Sequence, residues 1–148
     1  MEIVYKLKTA TVNDILAHLN ECNDNFYPPL IERVNLEEYS RKIFEKSMTF
    51  EAWKEDSLVG LVAIYFNENA DRSAYITNVS VLKSFMGSGI ASELLGQCIG
   101  YAVSENFMEM KLEVNKESSP AINLYRKHDF VVDSINGGFC KMRLKLFK

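Results

Sequence analysis

Apolar and polar positions alternate from Ile3 to Leu7, which predicts a strand. From Thr11 to Asn23 the apolar residues Val12, Ile15, Leu16 and Leu19 recur at helical spacing. Thr11 is the expected N-cap, and Asp14 three residues on completes a short-armed capping box. Asn25-Phe26-Tyr27-Pro28-Pro29 ends that pattern, because neither proline can donate a backbone hydrogen bond. Asn35 then caps a second predicted helix, Leu36 to about Lys46, with Leu36, Tyr39, Ile43 and Phe44 on one side. Its charges alternate in sign, as on a solvated face.

The middle of the chain reads as strands. Met48 to Lys54 and Leu58 to Phe66 flank the polar turn Glu55-Asp56-Ser57. Val59 to Phe66 is apolar on both faces and belongs in the middle of a sheet. A polar turn at 67–71 leads to a strand from Ala74 to Leu82. A long helix is expected from Gly87 to about Ser104, with Ile90, Leu94, Leu95, Cys98, Ile99 and Ala102 as its apolar stripe. A strand (Met108 to Val114) and a helix (Ser119 to His128) follow. Two last strands, Phe130 to Ile135 and Phe139 to Leu146, are joined by Asn136-Gly137-Gly138, residues tolerant of positive φ. The order β-αα-βββ-α-β-α-ββ predicts an antiparallel meander and one right-handed crossover between parallel strands, Ala74–Leu82 and Met108–Val114.

Composition narrows the classes. A chain of 148 residues suggests one domain, 1–148, large enough to bury about 70% of its unfolded surface without a disulfide or metal staple. The net charge of −3 does not favour a nucleic-acid groove. Cys22, Cys98 and Cys140 form no C-x-x-C pair, and His18 and His128 lie far apart, so no zinc site of the usual type is expected. An odd, sparse thiol count and the lack of a signal-peptide pattern at Met1-Glu2-Ile3-Val4 fit a cytoplasmic location. No apolar run is long enough to span a membrane. Met108 and Met110 read as core. Cys98 reads as buried and inert, and His128 as a dipole partner at a helix C-terminus.

The chemistry concentrates where a buried strand runs through Val79-Ser80-Val81 into Met86-Gly87-Ser88-Gly89-Ile90-Ala91 and straight into a helix. Small residues let a ligand approach the backbone, and the free N–H groups of a first helical turn attract phosphate. It is neither a Walker loop, since no Gly-Lys-Ser/Thr follows, nor a dinucleotide fingerprint, since the three-glycine spacing is absent. Downstream come Leu112-Glu113-Val114 and then the stretch from Ser118 to Phe130, Ser-Ser-Pro-Ala-Ile-Asn-Leu-Tyr-Arg-Lys-His-Asp-Phe.

Together these segments, spanning about residues 58 to 131, resemble the GNAT superfamily of acyl-CoA-dependent N-acetyltransferases. The family pattern is Arg/Gln-x-x-Gly-x-Gly/Ala after a valine-ending strand, then roughly Leu-x-Val and Asn-x-x-Ala-x-x-Leu-Tyr-x-Lys-x-Gly-Phe. Met86 departs from the usual Arg or Gln, Ser118 from Asn and Asp129 from Gly. Ser118 can still cap its helix, and Asp129 can take a left-handed conformation.

The resemblance implies an α/β (α+β) fold with a mixed sheet of about seven strands, splayed parallel strands and about four helices. It implies acetyl-CoA in the splay. Backbone groups of Val79 and Val81 would hold the pantetheine arm. Amides from Gly87 through Ser88, Gly89, Ile90 and Ala91 to Ser92 would hold the pyrophosphate, with the hydroxyls of Ser88 and Ser92 as helpers. Met86, Ser118 and Ala121 would border the cofactor. Tyr125 matches the family tyrosine near the thioester sulfur, and its other reading is packing with Leu124 and Phe130. Glu113 is the candidate base, against a solvated strand-end carboxylate. Asn25, Tyr27, Tyr75 and Asn78 are the expected acceptor contacts. The expected partners are a small-molecule amine or a peptide N-terminus and a second copy of the chain, with no nucleic acid and no membrane. The implied reaction is direct attack of a primary amine on acetyl-CoA without metal. A non-catalytic acyl-CoA-binding domain and a nucleotide-binding module are the competing readings.

Overall fold

A computed structural model describes residues 2–26, 28–67 and 71–147. The elements are β1 (Val4–Leu7), α1 (Val12–Cys22), α2 (Leu36–Lys46), β2 (Met48–Lys54), β3 (Ser57–Phe66), β4 (Ser73–Val81), α3 (Ile90–Ser104), β5 (Glu109–Asn115), α4 (Ser119–Lys127), β6 (Val131–Asn136) and β7 (Phe139–Lys145). The strands form one mixed sheet in the order β1-β2-β3-β4-β5-β7-β6. Strands β1 to β4 pair antiparallel, β4 pairs parallel with β5 across α3, and β7 folds back to lie antiparallel between β5 and β6. This is the mixed α/β sheet with four helices expected from the sequence. Most element ends move by one residue.

Local chemistry explains the elements. Thr11 and Asp14 close the capping box at the start of α1, and the Asn35 side chain accepts the Glu38 N–H at the start of α2. The helix expected from Gly87 begins instead at Ile90. Gly87 and Gly89 take φ of +78° and +86°, left-handed values that keep this stretch out of the helix. Gly137 supplies φ of +58° in the β6–β7 turn, and Asp129 takes +73° after α4. Two apolar positions are corrected. Phe44 is exposed because α2 turns the line Leu36, Ser40 and Ile43 inward and Phe44 falls outside it. Met110 is buried, but Met108, ahead of β5 proper, is exposed.

Each face of the sheet carries its own core. On one face α3 and α4 cover Val62, Ile64, Ile76, Met110, Leu112 and Met142. On the other, α1 and α2 cover Trp53, Leu58, Leu61 and Ala63. Strand β3 feeds both, which is why its sequence is apolar throughout. The start of α3 sits directly on β3. A Cβ added to Gly60 would lie 2.7 Å from Ile90 Cγ2, so only glycine admits this approach.

Two buried polar groups tie the α1 face together. The Glu51 carboxylate, fully buried, accepts from the Thr9 N–H (3.0 Å), the Ala10 N–H (3.1 Å) and Trp53 Nε1 (3.0 Å). It also accepts from the hydroxyls of Thr9 (2.6 Å) and Thr49 (2.5 Å). Burial pushes its proton affinity up, but those donors outweigh burial and hold it below the usual value. His18 donates from Nδ1 to Leu58 O (2.9 Å), and its Nε2 lies 2.9 Å from Ser80 Oγ. Burial pushes its pKa from 6.5 down to about 4, against the opposing effect of its hydrogen bonds.

These shifts predict acid lability. Between pH 6.5 and 4 the unfolded chain takes up a proton at His18 that the folded chain refuses. The stability from this site is therefore complete above 6.5 and lost as the pH falls towards 4, by about 3 kcal/mol in all. Loss from Glu51 follows at lower pH, because a depressed carboxyl releases its contribution only on protonation. Urea melts of the wild type and His18→Asn at pH 7.5 and 4.5 test this. Asn keeps a donor for Leu58 O and cannot titrate, so the variant should lose much less stability between the two pH values. An equal loss would place the acid sensitivity elsewhere.

Candidate active site

Strands β4 and β5 pair only from Ser73–Ile76 to Glu109–Leu112, and beyond that they separate. The cause lies in β4. Ala63 pairs with Asn78 and Ile64 with Ile76, so Thr77 is the extra residue of a bulge. Bulges bend a strand and increase its twist. Tyr39 of α2 fixes this one: its hydroxyl donates to Thr77 O (2.7 Å) and lies 2.9 Å from Thr77 Oγ1. Past the bulge, the Leu82 N–H donates to Val59 O of β3. Backbone groups alternate edges along a strand, so those of Val79 and Val81 point away from β3, into the gap beside β5.

That open edge leads to a cradle of free amides. The amides of Gly87, Ser88, Gly89, Ile90, Ala91 and Ser92 donate to no acceptor among the described residues, while Met86 N–H is spent on Lys83 O and Glu93 N–H on Gly89 O. A Cβ at Gly87 or Gly89 would meet nothing within 4 Å, so these amides border open space at the positive end of the 15-residue α3. The serine hydroxyls are committed elsewhere. Ser88 donates to Phe85 O, and Ser92 Oγ lies 2.8 Å from His128 Nε2. His128 thus fastens the end of α4 to the start of α3 through its ring. Met86 is 52% exposed and does not pack beneath the loop. Ser118 occupies the N-cap position of α4 without a side-chain capping bond, and Ala121 is half-buried against the core.

Tyr125 is 7% exposed on the α3/α4 face, edge-on to Phe130 with ring centroids 5.9 Å apart. Burial raises its pKa, so the phenol keeps its proton. Its hydroxyl has no hydrogen-bond partner among the described residues. Glu113 lies on the opposite face of the sheet, exposed, with Lys141 of β7 directly across. Tyr75 shares the Glu113 face, since its register partner in β5 is Lys111. Burial, then Glu113, raises its pKa, and Arg33 works against both. Asn78 is 4% exposed and accepts from the Ser80 hydroxyl (2.7 Å), which joins it to the buried His18 network. Asn25 is exposed in a turn with no hydrogen bond to the cleft, and Tyr27 lies outside the described residues.

Sequence reasoning missed the role of Tyr39 and the contact made by Arg33, the last residue of the Asn25–Arg33 segment expected to bind the acceptor. Tyr39 falls in the apolar stripe that the sequence predicts for α2, yet a tyrosine at the edge of such a stripe carries a hydroxyl that needs a partner. Arg33 places its guanidinium 5.2 Å from the centre of the Phe139 ring, at the start of β7. No local pattern could have paired residues so far apart in the chain. Among the described residues no group of three or more His, Cys, Asp or Glu side chains is placed to hold a metal.

A sheet with one splayed parallel pair, an open strand edge and an amide cradle at the next helix defines the class, and residues 12–130 match the acetyltransferase (GNAT) family. The chain belongs to that family. It is 26% identical over 92 residues to streptothricin acetyltransferase A of Bacillus subtilis (strain 168), covering 62% of this chain and 52% of that protein. The chain thus matches about half the length of this curated relative. The fold is shared with the ribosomal-protein-S18-alanine N-acetyltransferase of Escherichia coli (TM-score 0.78, 16% identity, 98% and 94% of the two chains). It is shared equally with the PaiA N-acetyltransferase of Thermoplasma acidophilum, solved with coenzyme A (TM-score 0.76, 16% identity, 98% and 99%).

The placement of Tyr125 predicts a mild structural effect. Tyr125→Phe removes a hydroxyl with no partner among the described residues and should change unfolding stability by less than about 1 kcal/mol. A loss above about 2 kcal/mol in a denaturant melt would show that the hydroxyl is bonded in the folded protein.

Proposed function

We propose that this chain transfers an acetyl group from acetyl-CoA to a primary amine, on a small molecule or a peptide N-terminus, by direct attack. The observation that carries this reading is the unpaired β4 edge running into six consecutive unpartnered amides. The residues fit the cofactor: an extended arm can add to the Val79–Val81 edge as a strand adds to a sheet, and a pyrophosphate suits the cradle at Gly87 to Ser92. Acetyl-CoA supplies the activated acetyl thioester, and this chain's residues do the rest.

An N–H of the Val79–Val81 stretch is assigned the acyl oxygen, where a fixed donor stabilises developing negative charge. Tyr125, kept protonated by burial, is assigned the proton for the departing thiolate. Glu113 is assigned the proton of the incoming ammonium. The two sit on opposite faces of the sheet, and the splay between β4 and β5 is an opening where an acid from one side and a base from the other could meet a substrate. Met86 brings no donor to the phosphates, which leaves that task to the backbone. A cytoplasmic location is proposed on the three free, buried cysteines, and a homodimer on β6, which is exposed along its length and paired on one edge only.

Acetyl-CoA and CoA should raise the melting midpoint, and NAD should not, because a ligand that binds only the folded chain stabilises it. Gly89→Val should abolish that shift, since its side chain would stand in the cradle. A folded Gly89→Val protein with unchanged CoA affinity would remove the pyrophosphate assignment.

Turnover is followed as CoA release with a panel of primary amines. Tyr125→Phe should lower kcat by about 10- to 1000-fold at nearly unchanged acetyl-CoA affinity. Binding of CoA without release on any amine would favour a non-catalytic acyl-CoA-binding domain.

A further inference from the structure

We propose that the acceptor amine carries a carboxylate, and that Arg33 is the specificity-determining residue that receives it. This rests on the acetyltransferase reading and deepens it. The face of the sheet that bears Glu113 also bears Asn115, Phe139 and Lys141, because directly paired residues of β5 and β7 present their side chains to the same side. Phe139 stands opposite Asn115, hence diagonal to Glu113. The guanidinium of Arg33 lies 5.2 Å from the Phe139 ring centre, so it hangs over this face beside the candidate base. The contact also brings the segment between α1 and α2 against the β6–β7 hairpin, near the end of β5 where the splay is open.

On this face Arg33 and Lys141 both lack an ion pair among the described residues. Lys111 pairs with Glu109 (3.6 Å) and Arg143 with Asp133 (3.3 Å). Lys141 faces Glu113 directly across the strands. Among the described residues Arg33 has no carboxylate within ion-pair distance, and its side-chain N–H groups donate to no protein acceptor. A guanidinium held over an aromatic ring keeps its N–H groups available as a two-pronged donor, which matches a carboxylate. Tyr75 on the same face senses both charges, Glu113 raising its pKa and Arg33 lowering it. A cation and an anion on one open face, unpaired with each other, complement a substrate with an amine at one end and an anion at the other. A substrate rich in further amines would bring its positive charges against Arg33 and Lys141.

The test uses CoA release with alanine, β-alanine and γ-aminobutyrate, each against its own amide, in wild-type, Arg33→Ala and Arg33→Lys proteins. The three pairs vary the distance from nitrogen to carboxylate, and comparing proteins cancels differences in amine basicity. For at least one pair the wild type should prefer the acid over the amide, and Arg33→Ala should cut that preference about tenfold or more through KM, with kcat on the amide unchanged. Arg33→Lys should restore part of it. Calorimetric titration of the same acid into CoA-loaded protein, which cannot turn over, should show the same loss of affinity in Arg33→Ala. Amides used as well as acids by the wild type, or equal losses on both in Arg33→Ala, overturn the proposal and leave the acetyltransferase reading standing. Absence of CoA release on every acid and amide, with CoA still bound and no acid binding by calorimetry, overturns the carboxylate proposal. Absence of release on neutral, cationic and acidic amines alike takes the enzyme reading with it.

Discussion

Everything that gives this molecule a site depends on two parallel strands that stop pairing after four residue pairs. Parallel neighbours normally continue to the end of the shorter strand, because each unpaired backbone group inside a protein costs energy. Here the extra residue at Thr77 bends β4, and the Tyr39 hydroxyl holds the bend by bonding the backbone of the bulge itself. The unpaired groups of Val79 and Val81 gain an exit to solvent or ligand, and β7 still pairs with β5 along its whole length. The opening is therefore a local defect inside an otherwise continuous sheet.

The cradle beside it is placed by packing. Ile90 presses against Gly60 where no Cβ intervenes, and this contact sets the height of the first turn of α3 over β3. Ser92 and His128 then join that turn to the end of α4, which carries Tyr125 three residues earlier. One short chain of contacts thus connects the centre of the sheet, the amide cradle and the buried phenol. On the other face Glu51 secures the entry to α1, and His18 reaches through Ser80 to Asn78, next to the bulge. Both ionisable groups are held by hydrogen bonds and neither by a counter-ion, so their anchoring does not weaken with salt.

Much of the fold was legible in the chain because its signals are local. The Thr11 and Asn35 caps, the two-faced apolar run of β3 and the glycine turn before β7 each announce their element within a few residues. Glycine before a helix is ambiguous, and the start of α3 was placed three residues early because the left-handed φ values of Gly87 and Gly89 are visible only in the structure. The site divides in the same way. The amide cradle was readable from Gly87 to Ser92, since backbone chemistry needs only small residues and a helix start. Asn78, expected among the acceptor contacts, is joined to His18 of α1 through Ser80, two residues along its own strand, and no local signal announces that link. Arg33 and Tyr39 depend wholly on tertiary contacts, and their partners Phe139 and Thr77 gave no hint of them.

The sheet acts as a partition. The core under α3 and α4 and the core under α1 and α2 share β3 but few other residues, and substitutions in one have little direct packing effect on the other. Residues on the Glu113 and Arg33 side can accordingly be exchanged while the seat of α3 on Gly60 and the amide cradle stay as they are. If the acceptor binds on the Glu113 side, as proposed, a lineage built on this plan is free to change its diet by drift on one side of a wall and need never renegotiate its energy source on the other.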